Sequence, residues 1–307
     1  MPGPRRWWTM KILIGLDGSS RSLDAVRLVG RLVDPRVDEV DFYFSPVEME
    51  RRLPAAQRGL VAGVAEALRA EATSRLPETM ARPPRLVTTP KAPAVGLLDA
   101  AAEGHADLVV VGARGHGAIE GFLLGSVSRA VVHGTTLPVL VARMPPPTER
   151  PLRVLVGHRP ASASSIATLL GRLHWPDDTD GRVIGVAESL LAGPLPPWLE
   201  QRARDPDTAA IADAWKHEHD EEVEDLRRRL AAFEADLPAV FRRRPPFVEQ
   251  GNPGDKILER SRVDGIDLIV VGRTPSDAVT RWLVGSTSEA LLTSAHSSVL
   301  IVPVART

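Results

Sequence analysis

The sequence contains no cysteine, and this absence removes several kinds of chemistry. A chain without a thiol forms no disulfide, offers no thiolate nucleophile and holds no cysteine-ligated zinc or iron–sulfur centre. Lysine is nearly as scarce, with only Lys11, Lys91, Lys216 and Lys256. None of these lies in a G-x-x-x-x-G-K-[ST] segment, so the phosphate loop that depends on such a lysine is excluded.

Long apolar runs and a surplus of one charge are missing too. No apolar segment approaches the roughly 18–20 residues that span a bilayer. Residues 1–10 contain two arginines but no apolar stretch behind them, so we expect no secretory signal there. The net charge of −1 provides no general attraction to nucleic acid or to an anionic membrane. We therefore expect a cytoplasmic protein with neither of those partners.

What the sequence does contain is a duplication. Residues 107–142 and 267–302 match without a gap at a constant offset of 160, whereas KILIG (11–15) and RVLVG (153–157) match at an offset of 142. The second repeat therefore carries 160 − 142 = 18 additional residues. Two domains also fit the length, at about 150 residues per domain. The predicted parts are a tail (1–9), a first domain (10–143), a stiff proline-rich linker (144–151) and a second domain (152–307) with an insertion in about 188–246.

Each repeat alternates short apolar runs with longer amphipathic or alanine-rich stretches. Runs such as LVVV are apolar on both faces, as in parallel strands that helices cover on both sides. The series predicts an α/β fold of two repeats, each an open, doubly wound, five-stranded parallel sheet flanked by helices. Predicted strands cover 12–16, 40–44, 85–88, 108–111 and 139–142, then 154–157, 183–187, 247–249, 268–271 and 299–302. Predicted helices of the first repeat cover 20–33, 55–75, 93–103 and 126–133.

A G-x2-G-x9-G-S pattern links the fourth strand of the first repeat to the next helix; its members are Gly112, Gly115, Gly125 and Ser126. Glycine allows close backbone approach to a ligand and positive φ. We predict that Ser126 is the helix N-cap, with Val127 and Ser128 in the first turn, where free amides and the helix dipole favour phosphate. The serine hydroxyls would add donors. Plain turn glycines are the alternative interpretation.

Asp17 ends the first strand, in the segment GLDGSS. Ligands of open α/β sheets bind at the carboxyl ends of strands, where the strand order reverses. If strands one and four flank that crevice, Asp17 and Gly112 face the same cavity. A carboxylate accepts hydrogen bonds, so it suits a base amino group or a ribose hydroxyl. The alternative is a local role as a turn or helix-cap residue.

The GLDGS segment, the glycine loop and the closing LPVLVA strand resemble the universal stress protein family, and the duplication resembles its tandem members. The resemblance covers the chain apart from the tail, linker and insertion. It implies an adenine-nucleotide alpha-hydrolase-like fold and a stress-response sensor or regulator that binds ATP, with or without magnesium. The nucleotide-binding residues implied by the resemblance are Gly15, Leu16, Asp17, Val111, Gly112, Gly115, Gly125, Ser126, Val127 and Ser128. Arg114 and His116 lie inside the loop, where a cation could reach a terminal phosphate.

The second repeat departs from this pattern. Aligning the strands puts Arg159 where the first repeat has Asp17. Pro275 replaces the second loop glycine and removes a backbone donor, and Asp277 adds negative charge. We expect a weaker or absent site there, on the retained residues Gly272, Gly285, Ser286, Thr287 and Ser288. Glycines that outlast a lost function are the alternative explanation.

Other function classes remain open at this point. A slow ATPase has no evident catalytic base or metal-carboxylate cluster near the loop. A nucleotide-free interaction scaffold and, more remotely, a flavin-binding module are the others. His217 and His219 stand two apart on a predicted helix, which is poor metal-ligand spacing, so we predict no metal site. Family members dimerise through the apolar closing strand; a tandem chain can form that pair internally, with or without further homodimerisation.

Overall fold

The computed structural model describes residues 9–113, 124–143, 145, 147, 149–188, 206–273 and 285–304. Within these residues the two repeats contribute five strands each. The strands of the first repeat are β1 (Lys11–Leu16), β2 (Glu39–Phe44), β3 (Leu86–Thr88), β4 (Leu108–Gly112) and β5 (Val139–Ala142). Those of the second are β6 (Arg153–Gly157), β7 (Asp180–Ala187), β8 (Phe247–Gln250), β9 (Leu268–Arg273) and β10 (Ser298–Pro303).

Nine α-helices occur in the described ranges. In the first repeat they are α1 (Ser20–Leu32), α2 (Val47–Arg52), α3 (Val61–Thr73), α4 (Pro93–Glu103) and α5 (Ser126–Gly134). In the second they are α6 (Ala163–Arg172), α7 (Pro206–Asp236), α8 (Pro253–Val263) and α9 (Ser286–Ser294). The single helix predicted over 55–75 was wrong, because a 3-10 turn over Ala55–Leu60 precedes α3. Gly59 lies at this break, and glycine is a poor former of α-helix.

All ten strands form one sheet in the order β3-β2-β1-β4-β5-β10-β9-β6-β7-β8. Every neighbouring pair is parallel except β5 and β10. The strands are apolar on both faces because helices cover both; Val109 and Val110, adjacent in β4, belong to two different buried clusters. The predicted class, an α/β fold with a mostly parallel sheet flanked by helices, is confirmed.

The two halves of the sheet meet at a seam formed by β5 and β10. Leu140 pairs with Leu300, its counterpart in the other repeat, in an antiparallel register. The Arg143 guanidinium donates to the carbonyl of Leu292 near the end of α9, and Arg273 donates to the carbonyls of Val132 (2.6 Å) and Thr135 (2.9 Å) at the end of α5. Each arginine thus places positive charge at the negative end of a helix in the other repeat.

Helix α7 connects β7 to β8 and covers the outer part of the second half-sheet. Leu226, Leu230 and Phe233 are buried, and a Cβ on Gly185 of β7 would lie 2.8 Å from Leu230 Cδ1. The glycine therefore allows the long helix to lie close to the strand. None of the helices in the described ranges is long and apolar enough to cross a membrane.

Candidate functional site

The strand order reverses between β1 and β4 in the first repeat. β1 continues to β2 on one side, whereas β4 continues to β5 on the other. Ile14 pairs with Val110 in parallel, so Asp17, which follows β1, lies at the same edge as Gly112, the last residue of β4. This is the position at which an open α/β sheet forms a crevice.

Asp17 stabilises a local turn through one carboxylate oxygen, Oδ1, and its other oxygen, Oδ2, is available to a ligand. Its Oδ1 accepts from Ser19 N (3.0 Å) and Ser19 Oγ (2.6 Å), and Gly18 adopts a φ of 81°. Ser19 is the N-cap of α1 and accepts from Ser22 N (3.2 Å). Among the described residues none donates to Asp17 Oδ2. The carboxylate is exposed, so it serves the turn and still has an acceptor available for a ligand.

Gly112 is in close contact with the first turn of α1. A Cβ built on it would lie 3.2 Å from both Arg21 C and Ser22 N, which are backbone atoms that cannot rotate away. Arg21 also brings a cation to this edge, because its Nη1 donates to the carbonyl of Arg143 (2.9 Å), just beyond β5. The sequence patterns did not single out Arg21, whose role depends on a contact between distant segments.

The start of α5 is joined to the end of β4 by two hydrogen bonds. Gly125 N donates to Ala113 O (2.8 Å), and Ser128 Oγ donates to Gly112 O (2.6 Å). The N-cap is Gly125, with extended backbone angles, so the prediction that Ser126 is the cap was wrong. Ser128 is 4% exposed and its proton is already donated, so its hydroxyl does not supply the phosphate donor that we expected.

Backbone amides are therefore the donors that this helix start offers. The first-turn amides of an α-helix have no intrahelical acceptor. Ser126 and Val127 are exposed, so their amides belong to a solvent-facing helix start that suits an anion. The Ser126 hydroxyl can add one more donor.

The remaining predicted contacts divide into buried positions and positions that are not described. Leu16 and Val111 have side chains in the apolar clusters, so only their backbones could reach a ligand. A Cβ on Gly15 would lie 3.0 Å from Leu97 Cδ2, which explains a glycine within this strand. Arg114, Gly115 and His116 lie outside the described residues.

The second repeat reproduces the scaffold of this crevice. Ser288 Oγ donates to Gly272 O (3.2 Å), and Gly285 is the N-cap of α9, followed by Ser286 and Thr287 in its first turn. The strand order reverses here between β6 and β9. Pro275 and Asp277 lie outside the described residues.

The turn after β6 is nevertheless shorter than the turn after β1. Gly15 and Gly157 match, because Cβ atoms on them would contact Val111 and Val271 respectively. Gly112 lies against Ser22 and Gly272 against Ser162, so these serines match as well. Six residues (16–21) separate the first pair and four (158–161) the second. The shortened turn has no residue equivalent to Asp17, which corrects the simple alignment of Arg159 with it.

His158 takes up part of the space at the end of β6. Its ring is half-buried and lies 5.1 Å from the Phe233 ring of α7, at an angle of 53°. Burial, with a smaller contribution from the Arg229 guanidinium, lowers the pKa of His158 below its ordinary value of 6.5. The His158 ring therefore packs on α7, whereas Leu16, its counterpart after Gly15, lies in the apolar core.

Replacing Ser128 by alanine should lower the free energy of unfolding by about 1 kcal/mol, because it removes the donor to Gly112 O. Urea unfolding of the full chain measures this change. Ser126→Ala is the matched control, since Ser126 is exposed and has no such bond among the described residues; its effect should stay within about 0.5 kcal/mol. Equal effects of the two substitutions would contradict a special role for the Ser128 bond.

In the described parts of the chain no group of three or more histidine, aspartate or glutamate side chains is placed to hold a metal ion. His217 contacts Glu221 (Nε2–Oε1, 3.3 Å), and both side chains are largely exposed on α7.

Comparisons with known proteins give the class. A family model described as the universal stress protein family matches residues 9–143 and 197–303, which is more than half of the chain. The protein therefore belongs to the universal stress protein family, and the two matched segments make it a tandem member.

Individual relatives agree with this assignment. A universal stress protein of Mycolicibacterium smegmatis is 30% identical over 203 residues, covering 66% of this chain and 63% of the relative. One from Mycobacterium bovis is 35% identical over 147 residues, covering 43% and 45%. The alignments thus span less than two thirds of the curated relatives. A crystal structure of a universal stress protein from Archaeoglobus fulgidus shares the fold, with a TM-score of 0.61, 17% identity and coverage of 96% and 98%.

Proposed function

We propose that this universal stress protein binds an adenine nucleotide, ATP with or without magnesium, in its first repeat, and acts as a stress-response sensor or regulator. The observation that carries the proposal is the pairing of two complementary features at one sheet edge. An exposed carboxylate, Asp17, follows β1, and the amide-lined start of α5 is bonded to the end of β4. The carboxylate suits the sugar or base, and the amides suit the phosphates.

The proposed binding residues of the first repeat are Gly15, Leu16, Asp17, Val111, Gly112, Gly115, Gly125, Ser126, Val127 and Ser128. Most of them act through the backbone, because Leu16, Val111 and Ser128 are buried. Arg21 joins them as a cation at the same edge, since its guanidinium lies beside the carbonyl that follows β5. Its charge would compensate part of the charge of the phosphates.

We assign the second repeat a degenerate role. Its scaffold glycines Gly272 and Gly285 and the residues Ser286, Thr287 and Ser288 remain, but the turn after β6 is two residues shorter and contains no carboxylate. The His158 ring, packed on Phe233, lies at the start of that turn. These features together favour weak binding or none.

The proposed domain boundaries follow the same division. Residues 10–143 and 152–307 would each form a universal stress domain, joined by the linker 144–151. The pairing of β5 with β10 supports an intramolecular partnership of the two repeats in place of the pairing between subunits that the resemblance implies.

Isothermal calorimetry should give a stoichiometry of one ATP per chain. The asymmetry between the two turns is the reason, because the turn after β1 contains a carboxylate and the shorter turn after β6 (158–161) contains none. ADP, AMP, cyclic AMP and GTP serve as competitors that define which part of the nucleotide is recognised. Two equal sites would contradict the degenerate assignment, and a flat titration with protein stripped of small molecules would contradict nucleotide binding altogether.

Mass spectrometry of small molecules released from the purified, heat-denatured protein is an independent check. An adenine nucleotide at close to one equivalent per chain would identify the ligand without a choice of probe. The Asp17→Ala protein, prepared in parallel, is the matched control and should release much less of it. If both proteins released equal amounts of nucleotide, the ligand would not be bound in the crevice at Asp17.

A further inference from the structure

The seam contains an ion pair between two counterpart positions. Arg129 Nη1 lies 2.7 Å from Glu289 Oε1, and these residues are 160 positions apart, which is the offset of the repeats. His133 Nε2 lies 3.6 Å from the other carboxylate oxygen of Glu289. Both members of the pair are about 40% exposed, with side-chain values of 43% and 35%.

The geometry of the seam explains why counterparts meet. Leu140 pairs with Leu300, so a pseudo-twofold axis passes between two equivalent residues of β5 and β10. A residue near such an axis faces its own equivalent in the other repeat. In a symmetric pair of identical repeats, this position would therefore place two like charges against each other.

We propose that Arg129 and Glu289 select the pairing of the first repeat with the second and disfavour the pairing of like repeats from two copies of the chain. Two first repeats joined through β5 would place Arg129 against Arg129. Two second repeats joined through β10 would place Glu289 against Glu289. Only the mixed pair brings opposite charges together.

A second contact at the seam points in the same direction. Arg143 N donates to Ser298 Oγ (3.1 Å), and the counterpart of Ser298 in the first repeat is Pro138. A pair of first repeats would lose this bond, because proline has no hydroxyl group. The mixed seam thus holds a polar contact as well as an ion pair that the pair of first repeats lacks.

The experiment is a charge-swap cycle in the full-length chain. Arg129→Glu and Glu289→Arg each create like charges at the seam, and the double variant R129E/E289R restores opposite charges. Urea unfolding should give an unfolding equilibrium constant raised roughly fivefold in each single variant and returned to within about twofold of wild type in the double variant. At 1 M salt, where the screening length is about 3 Å, the difference should largely vanish.

Sedimentation measures the selection itself. Wild type and the double variant should have the same mass distribution, whereas each single variant should shift with concentration toward larger species, since mixed pairing no longer has an electrostatic advantage. Arg51→Glu is the matched control: Arg51 pairs with Glu48 (3.5 Å) on exposed α2, away from the seam. It carries the same charge change and should leave the distribution unchanged.

Two results would each overturn the proposal. One is additive effects of the two charge reversals on unfolding, with no recovery in the double variant. The other is a mass distribution that is the same in all four proteins. If a charge reversal prevents folding, the neutral cycle with Arg129→Gln and Glu289→Gln replaces it, and additivity there overturns the proposal equally.

Discussion

Asp17→Ala should weaken ATP binding by tenfold to a hundredfold. Hydrogen bonds to a charged group contribute about 1.5–3 kcal/mol, and each 1.4 kcal/mol is a factor of ten in affinity. The Asp17 Oδ2 atom accepts from no described residue, so it can accept from a ligand at the crevice. Isothermal calorimetry with ATP measures the change, and Arg159→Ala in the second repeat is the control that should bind as wild type does.

The local role of Asp17 must be separated from its role in binding. Alanine also removes the acceptor for Ser19 N and Ser19 Oγ, which could disturb the turn before α1. Asp17→Asn keeps an oxygen for Ser19 while removing the charge. We expect this variant to unfold like wild type and still to bind ATP at least tenfold more weakly. If the asparagine variant bound ATP with wild-type affinity, the Asp17 charge would have no role in binding, and the residue would serve only the turn.

Leu140→Ala should cause the largest loss of stability, about 2–5 kcal/mol. Leu140 is 0% exposed at the centre of the ten-stranded sheet, and truncating a buried leucine combines lost burial with a residual cavity. Because β5 is hydrogen-bonded to strands of both repeats, we expect one cooperative unfolding transition for the whole chain. Urea unfolding followed by circular dichroism and tryptophan fluorescence measures both properties.

An exposed leucine provides the control for this substitution. Leu60 is 65% exposed in the 3-10 turn before α3, so Leu60→Ala should change the free energy of unfolding by less than about 0.5 kcal/mol. Two separate transitions in the wild type, with only one of them moved by Leu140→Ala, would mean that the seam does not couple the repeats. If the two variants lost equal free energy of unfolding, burial of Leu140 at the centre of the sheet would contribute no more stability than the exposed Leu60 does.

Apolar periodicity predicted the strands well because it reflects burial directly. A run such as residues 108–111, apolar on both faces, folds into a strand only between two helical layers, and β4 ends one residue later at Gly112. The helix predicted over 55–75 was wrong at its start because an alanine-rich composition favours a helix, whereas Gly59 is a poor helix former within that stretch.

The site was predicted in outline, and its details depended on contacts between distant segments. The glycine spacing indicated an anion-binding turn, but it did not reveal that the Ser128 proton is already donated to Gly112 O. Strand alignment could not detect the two-residue shortening after β6, because that follows from Ser162 lying against Gly272. Arg129 and Glu289 could have been found from sequence, since a constant offset combined with paired closing strands makes counterparts face each other.

The antiparallel contact between β5 and β10 also determines where the two crevices lie relative to each other. Because the direction of the strands reverses at that contact, the mouths of the two crevices open on opposite rims of the molecule. The carboxyl ends of β1 and β4 thus lie at one edge of the sheet and those of β6 and β9 at the opposite edge, so a ligand bound in one crevice does not contact the other.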